Sequence, residues 1–312
     1  MVLGRNAEAP IPLSRAEAER QHHSPGAHIV YSPHGTAVSP DLFLLPSGTT
    51  TLTLQQLARL GYASKAVIYA IVGVLAILTA LNRGGRITDT SGALRVVLSH
   101  PFGQILLGIL AIGLCGYAAW RLLDAFADPD HDGTSAAGLI TRIGKAVRGA
   151  VYGALGIDAI QLLRGLGGPA GDEAEMWTAR LLEVPFGGVA VGIAGAAVAA
   201  YGASEFLRSV RGKHDPKVDW SAIASNIRPA IQTISRFGVG VRGGLIATLG
   251  VFLVRAAVSH DPSQAAGSRE SMLRLAGLVE GRWFLALIAA GLLAYAVDQA
   301  VHAHCRRIRP VV

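Results

Sequence analysis

The segment RLGYASK, residues 59–65, begins the first long apolar run of this chain and recurs twice in altered form. RIGKAVR occupies residues 142–148, and RFGVGVR occupies residues 236–242. In every copy a glycine follows the second cation by eight residues, as Gly73, Gly156 and Gly250. The pattern R-x-G-x3-[KR]-x7-G therefore occurs three times without a gap, which indicates a chain built from internal repeats.

A second pattern lies later in each repeat, where a glycine precedes a tyrosine by fourteen residues. The three pairs are Gly103 with Tyr117, Gly187 with Tyr201, and Gly281 with Tyr295. The first arginine of each repeat and this glycine are 44, 45 and 45 residues apart. Two patterns at a constant separation predict that each repeat contains two helices of similar length.

The composition is that of a membrane protein. Hydrophobic residues make up 51% of the 312 residues and charged residues only 16%, whereas soluble domains carry about 25% charged residues. Crossing a bilayer takes about 20 residues of helix. Six apolar segments are close to that length, and they run approximately over residues 61–81, 102–123, 146–163, 186–207, 238–258 and 283–301.

These patterns predict an all-α membrane protein with six transmembrane helices, arranged as three tandem two-helix repeats around a pseudo-threefold axis. The repeats are expected at residues 56–128, 139–212 and 233–307. Between the paired helices of each repeat, a short amphipathic segment predicts a helix in the membrane interface. Residues 1–55 contain several prolines and histidines but no sustained apolar periodicity, so we expect them to form a disordered tail.

The basic residues indicate an orientation. Most of the 28 Lys and Arg residues fall on the side that holds both termini and the connections between repeats. The positive-inside rule therefore predicts cytoplasmic termini. Because the net charge of +7 is spread over separate loops, it does not indicate a nucleic-acid partner.

The start RLGYASK, the second helix SHPFGQILLGILAIGLCGYAAWRLLDAF at residues 99–126 and the threefold repetition resemble a bacterial membrane family catalogued as a domain of unknown function. That family carries a pair of transmembrane helices three times per chain. The resemblance extends from Arg59 to about Arg307, but the third repeat has VEG in place of the PFG of the first. It implies the architecture and a bacterial inner-membrane location, without an activity.

The second cation of each repeat is a candidate site residue. These cations are Lys65, Arg148 and Arg242, and each is expected at the depth of the tyrosine of its own repeat, Tyr117, Tyr201 or Tyr295. Two interpretations remain open. The cations and tyrosines can snorkel and anchor at the headgroups, or the three cations can form a ring that binds an anion or a partner.

Four further polar residues are candidates. Asp158 and Arg255 lie at similar depths in the third and fifth helices, which allows an ion pair across the bundle; the alternative is that each reaches water at the interface. Asp298 and His302 lie four residues apart on one helix face, as expected of a proton-handling pair or of a wet helix end.

No catalytic motif, cofactor motif or metal-ligand pattern of defined spacing occurs, so we predict no catalytic residues, no cofactor and no metal. His302, His304 and Cys305 are compact in sequence, but on a helix only some of them can point together. The bilayer is the expected partner, with a second membrane protein as a further candidate. The sequence most favours an accessory or scaffold subunit, then a small transporter or channel for an anionic solute, then a lipid-modifying enzyme.

Overall fold

A computed structural model describes residues 47–128, 133, 135–167, 173–212, 218–278 and 281–306. These residues form nine α-helices. Six of the helices are long and apolar enough to cross a membrane, which confirms the predicted number of spans. They are α1 (Ser47–Ala80), α3 (Gly103–Phe126), α4 (Ala136–Leu163), α6 (Gly187–Val210), α7 (Arg228–Ser259) and α9 (Gly281–Cys305).

The first helix is longer than the sequence suggested. It begins at Ser47 and continues unbroken to Ala80, so residues 47–55 are helical, whereas we expected them to be disordered. The segment TLTLQQLARL, residues 51–60, belongs to this helix. The physical reason is that no proline or glycine interrupts the chain between Gly48 and Gly61. Residues 1–46 lie outside the described residues.

Three short helices connect the paired spans, as predicted. They are α2 (Thr90–Leu98), α5 (Glu173–Leu182) and α8 (Ser268–Leu278). We call the bundle end that holds them the intra-repeat end. The opposite end, which holds the connections between repeats, is the inter-repeat end.

A left-handed phenylalanine turns the chain from the short helix into the second span of the first two repeats. Phe102 has φ 62° and Phe186 has φ 64°, in a region that costs an L-residue about 1–2 kcal/mol. The glycine that follows each one leaves no room for a side chain, since a Cβ at Gly103 or Gly187 would overlap the end of the short helix. The repeated Phe-Gly pair thus fixes a sharp corner, with both rings exposed.

The repeats close into a ring around a pseudo-threefold axis. Each second span packs on the first span of the next repeat: α3 on α4, α6 on α7, and α9 back on α1. The repeated glycine lies at the crossing every time, where Gly73 faces Leu293, Gly156 faces Cys115 and Gly250 faces Ala199. The three facing residues each precede the repeat tyrosine by two positions. The glycines are therefore packing positions that bring the helices close together.

The ring has one open seam. Within the first and third repeats the two spans pack directly, α1 on α3 and α7 on α9. In the second repeat, α4 and α6 do not pack in this way over the residues that the structure describes. The bundle is therefore less closed between α4 and α6 than elsewhere.

The connection between the second and third repeats returns to the last helix. Val218 forms an isolated antiparallel bridge with Arg306, and the amide of Asp219 donates to the carbonyl of Cys305 at 2.8 Å. This contact holds the segment from Val218 to Ile227 against the inter-repeat end of α9.

Candidate anion-binding cavity

A polar cavity of about 130 Å³ lies within the inter-repeat half of the bundle. Its lining contains seven basic side chains but only two carboxylates, those of Glu205 and Asp298. The basic residues are Lys65, Arg121, Arg148, Arg208, Arg236, Arg242 and Arg306. All three predicted cations and all three predicted tyrosines line this cavity. An excess of cations in a concave, partly dry site creates a positive potential, which attracts anions.

Lys65 is the most enclosed of the three repeat cations. Its residue surface is 4% exposed, and its ammonium lies 4.6 Å from the ring centroid of Tyr117 and 4.5 Å from that of Tyr152. The ammonium also donates to the Tyr117 hydroxyl at 3.5 Å. A cation over aromatic faces is stabilised by the ring quadrupole, which partly replaces the hydration that Lys65 has lost.

The other two cations make the same contact with the tyrosine of their own repeat. The guanidinium of Arg148 lies 5.0 Å from the Tyr201 ring centroid, and that of Arg242 lies 4.8 Å from the Tyr295 ring centroid. All three cations therefore line the cavity, each beside the tyrosine of its own repeat; snorkelling and ligand binding both remain predictions for them. Among the described residues, none of the three makes an ion pair with a carboxylate.

A buried ion-pair network supports the cavity from the neighbouring helix pair. Asp124 is 2% exposed and accepts from Arg121 at 3.1 Å and from Lys145 at 2.9 Å. Arg121 also donates to the hydroxyls of Tyr62 and Tyr117, both at 3.0 Å. The network links α1, α3 and α4 and holds the Tyr117 hydroxyl next to Lys65.

Two buried polar atoms in the cavity wall have no hydrogen-bond partner among the described residues. They are the hydroxyl oxygen of Ser235 and the amide oxygen of Gln299, in residues that are 4% and 3% exposed. Burying such groups without a partner costs about 1–3 kcal/mol each. The Ser235 hydroxyl can donate to an anion in the cavity, so this wall carries a neutral donor as well as cations.

Asp298 and His302 lie on one face of α9, as predicted, and both line the cavity. The His302 Nδ1 atom is 2.9 Å from the Asp298 carbonyl oxygen and 3.5 Å from the carboxylate. Both residues are buried in the cavity wall. Their role in proton handling remains a prediction.

The predicted pair of Asp158 and Arg255 does not form. The Asp158 carboxylate instead lies 4.0 Å from the guanidinium of Arg95, which belongs to the short helix α2. Arg255 is exposed on α7. The prediction failed because α2 packs on α4 and brings Arg95 to Asp158 from the same end of the bundle, a contact that helix depth alone does not show.

A second cavity of about 220 Å³ adjoins the first on its intra-repeat side. Arg148, Tyr152 and Arg242 line both cavities. The rest of the second lining comes from α1, α2, α4, α7, α8 and α9 and is largely apolar. It includes Val72, Val147, Val151, Leu155, Leu245 and Met272, with the polar residues Asp89, Thr90 and Ser268 at the intra-repeat end. The three shared residues therefore form a layer between a polar cavity and an apolar one.

Several cavity residues were missed in the sequence, although two signals for them were present. Tyr69 and Tyr152 each follow the repeat cation by four residues, a spacing that puts them on the cation's helix face. Arg121 and Asp124 form a charged pair within a spanning helix, which by itself marks a functional or structural site. Ser235 gave no signal, because a lone serine near a helix start is common.

Among the described residues, no three His, Cys, Asp or Glu side chains come together as a possible metal-ligand set. His304 is exposed, whereas His302 and Cys305 are buried. The compact sequence cluster is thus divided between different environments along the last turns of α9.

Comparisons with known proteins agree with the repeat architecture. Residues 60–128, 143–212 and 237–306 each match the family described as Domain of Unknown Function (DUF1206). The uncharacterized protein YxxB of Bacillus subtilis (strain 168) is 31% identical over 254 residues, which cover 80% of this chain and 92% of that protein. No solved structure matches the chain. The three matched segments together cover most of the chain, and they show that this chain belongs to the DUF1206 family.

Proposed function

We propose that this multi-pass membrane protein binds an anion in the polar cavity and carries it as a small transporter. The observation that supports the proposal is that Lys65, Arg148 and Arg242, one from each repeat, converge on one cavity without a carboxylate partner among the described residues. Buried cations are costly unless they are compensated. Tyrosine rings supply part of that compensation, and a bound anion would supply the rest.

The cavity dimensions favour a compact anionic group. A volume of about 130 Å³ is slightly below the roughly 150 Å³ of a cavity that accepts benzene. A carboxylate or a phosphate group fits this space. Arginines suit such groups because the planar guanidinium donates two parallel hydrogen bonds to oxygen pairs.

Transport is favoured over a purely structural role by the second cavity. The two cavities lie on opposite sides of the layer formed by Arg148, Tyr152 and Arg242. A solute path with a narrow polar layer near the middle of a repeat-built bundle is typical of transporters. The accessory-subunit interpretation remains a prediction that rests on the glycine-rich helices of the sequence.

The test is anion binding by the purified protein in lipid discs. Inorganic phosphate is titrated by calorimetry against the wild type and the single variants Lys65→Gln, Arg148→Gln and Arg242→Gln. Each variant should weaken binding by about tenfold or more, since a hydrogen bond to a charged group contributes about 1.5–3 kcal/mol. Arg255→Gln is the matched control, because Arg255 is a cation of α7 outside the cavity.

Two results would contradict the proposal. Phosphate affinity that is equal in all four variants would show that the cavity cations do not hold the anion. Native extraction that retains a stoichiometric protein partner, with no phosphate bound or taken up by proteoliposomes, would instead support the accessory-subunit interpretation.

A further inference from the structure

The two adjoining cavities differ in polarity. The inter-repeat cavity is cationic, with the repeat cations and Arg121, Arg208, Arg236 and Arg306 in its wall. The second cavity is mainly apolar, with valine, leucine, isoleucine and methionine side chains in its wall and Asp89, Thr90 and Ser268 at its intra-repeat end. A ligand that fills both spaces must therefore carry an anionic group at one end and an apolar chain at the other.

The apolar cavity has room for a hydrocarbon chain. Its volume of about 220 Å³ exceeds the roughly 150 Å³ of an apolar protein cavity that binds benzene. Val72 and Met272 are buried in its wall. An empty apolar space of this size lacks van der Waals partners, whereas an inserted acyl chain would supply them.

The apolar cavity also opens sideways. Val147 and Val151 line it, yet these residues are 56% and 53% exposed on α4. They lie beside the seam where α4 and α6 do not pack over the described residues. No residue of α6 contributes to the lining of this cavity, so α6 does not cover the side between α4 and α7.

The two cavities follow each other along the axis of the bundle. Along α4, Arg148 and Leu155 are seven residues apart, which is about 10 Å of helix. The span runs from Gly138 to Leu163, so Arg148 lies near its middle and Leu155 lies toward the intra-repeat end. An anionic group held at Arg148 and Arg242 therefore lies deep in the bundle, with its chain on the intra-repeat side.

We propose that the anion bound here is the headgroup of a membrane lipid, whose acyl chain enters between α4 and α7 and occupies the apolar cavity. This inference rests on the proposed anion site and names its ligand class. Arg148 and Arg242 contact the headgroup from the shared layer, and Val147, Val151 and Leu155 contact the chain.

The test uses photocrosslinking in lipid discs. The probe is phosphatidylglycerol with a diazirine in one acyl chain, and phosphatidylcholine with the same chain is its zwitterionic control. Phosphatidylglycerol should label peptides that contain Val147–Leu155 and Met272 several-fold more than phosphatidylcholine does. The double variant Arg148→Gln with Arg242→Gln should remove this preference, because it removes both headgroup donors.

Filling the apolar cavity provides a second, independent arm. Val151→Trp places a large ring in the portal and should lower specific labelling by about fivefold or more, since a filled cavity has no room for the chain. Leu245→Phe repeats the test from α7 in case the first variant does not fold. Val189→Trp is the control, because Val189 is 62% exposed on α6 and does not line the cavity.

The outcomes separate the lipid inference from the proposed anion site. Equal labelling by both lipids, unchanged by Val151→Trp, would overturn the inference, because it would show only annular lipid. If inorganic phosphate binds and loses affinity in Arg148→Gln while the phosphatidylglycerol labelling stays unspecific, the ligand is a free anion. If phosphate and phosphatidylglycerol both fail to bind specifically, the inference and the anion site fail together.

Discussion

The ammonium of Lys65 lies 4.5 Å from the ring centroid of Tyr152, a residue of the next repeat. Tyr117, from the repeat of Lys65 itself, lies on another side at 4.6 Å. The two rings also meet each other edge to face, with their centroids 5.0 Å apart. One buried cation therefore ties two repeats together, which gives Lys65 a structural role in addition to the ligand binding proposed for it.

Substitutions of Tyr152 should separate the contribution of its ring from that of its hydroxyl to the stability of the bundle. Tyr152→Leu removes a cation–π contact worth about 0.5–2 kcal/mol and an aromatic pair worth about 0.5–1.5 kcal/mol, so we expect a total loss of roughly 1–3.5 kcal/mol. Tyr152→Phe keeps both rings and should lose less than about 1.5 kcal/mol, the value of one hydrogen bond. Thermal unfolding in detergent measures both variants. Equal losses would show that the hydroxyl, and not the ring, stabilises this site.

Asp124 should be the most sensitive charged residue of the bundle. Asp124→Asn leaves Arg121 and Lys145 buried without their counter-charge, which typically costs about 3–5 kcal/mol. Denaturant unfolding followed by circular dichroism measures the change in the free energy of unfolding.

Glu205→Gln is the matched control for that substitution. Glu205 occupies the position of Arg121 in the second repeat and pairs with Arg208 at 3.0 Å, but the Arg208 side chain is 48% exposed. A pair with one exposed partner is worth about 0–1 kcal/mol. Similar losses of unfolding free energy in the two variants would mean that water reaches the Asp124 network.

The repeated glycines should not tolerate even a methyl group. A Cβ at Gly250 would overlap the backbone of Ala199 in α6, so Gly250→Ala should cost about 1–3 kcal/mol through overpacking. Gly244→Ala on the same helix meets no atom within 4 Å and should be neutral or up to about 1 kcal/mol more stable, because alanine favours helix. Thermal unfolding compares the two, and a stable Gly250→Ala variant would contradict the tight crossing of α6 and α7.

The orientation in the membrane can be tested with single cysteines in a background where Cys115 and Cys305 are replaced by serine. Ser263 is exposed at the intra-repeat end, and Ser221 is exposed at the inter-repeat end. The positive-inside rule predicts that a membrane-impermeant maleimide labels Ser263→Cys in intact cells and Ser221→Cys only after permeabilisation. The reverse pattern would place the cationic cavity on the outer side.

Much of the architecture could be predicted because it depends on lengths and spacings along the chain. The bilayer thickness sets the number of residues in each span, and the three RxGxxx[KR] segments mark three copies of one unit. The rise of 1.5 Å per residue also puts Lys65 and Tyr117 at one depth. These quantities need no knowledge of how the helices rotate about their own axes, so the six spans and the cation–tyrosine contacts followed from the sequence.

The composition of the cavity depended on that rotation and on which helices are neighbours. Asp158 meets Arg95 instead of Arg255 because α2 packs on α4. Lys145 reaches Asp124 across the contact of α3 with α4, two residues that no repeat pattern relates. The open seam between α4 and α6 is likewise absent from the pattern, since the second repeat has the same spacing as its neighbours.

The sequence by itself determined the membrane class, the three repeats and the number of spans, because a periodic pattern and a fixed bilayer thickness specify them locally. The tertiary structure alone decided that the cations face inward, that α9 closes on α1, and that an apolar cavity adjoins the cationic one. Those features arise from side chains that are far apart along the chain, and only the packed bundle brings them into contact.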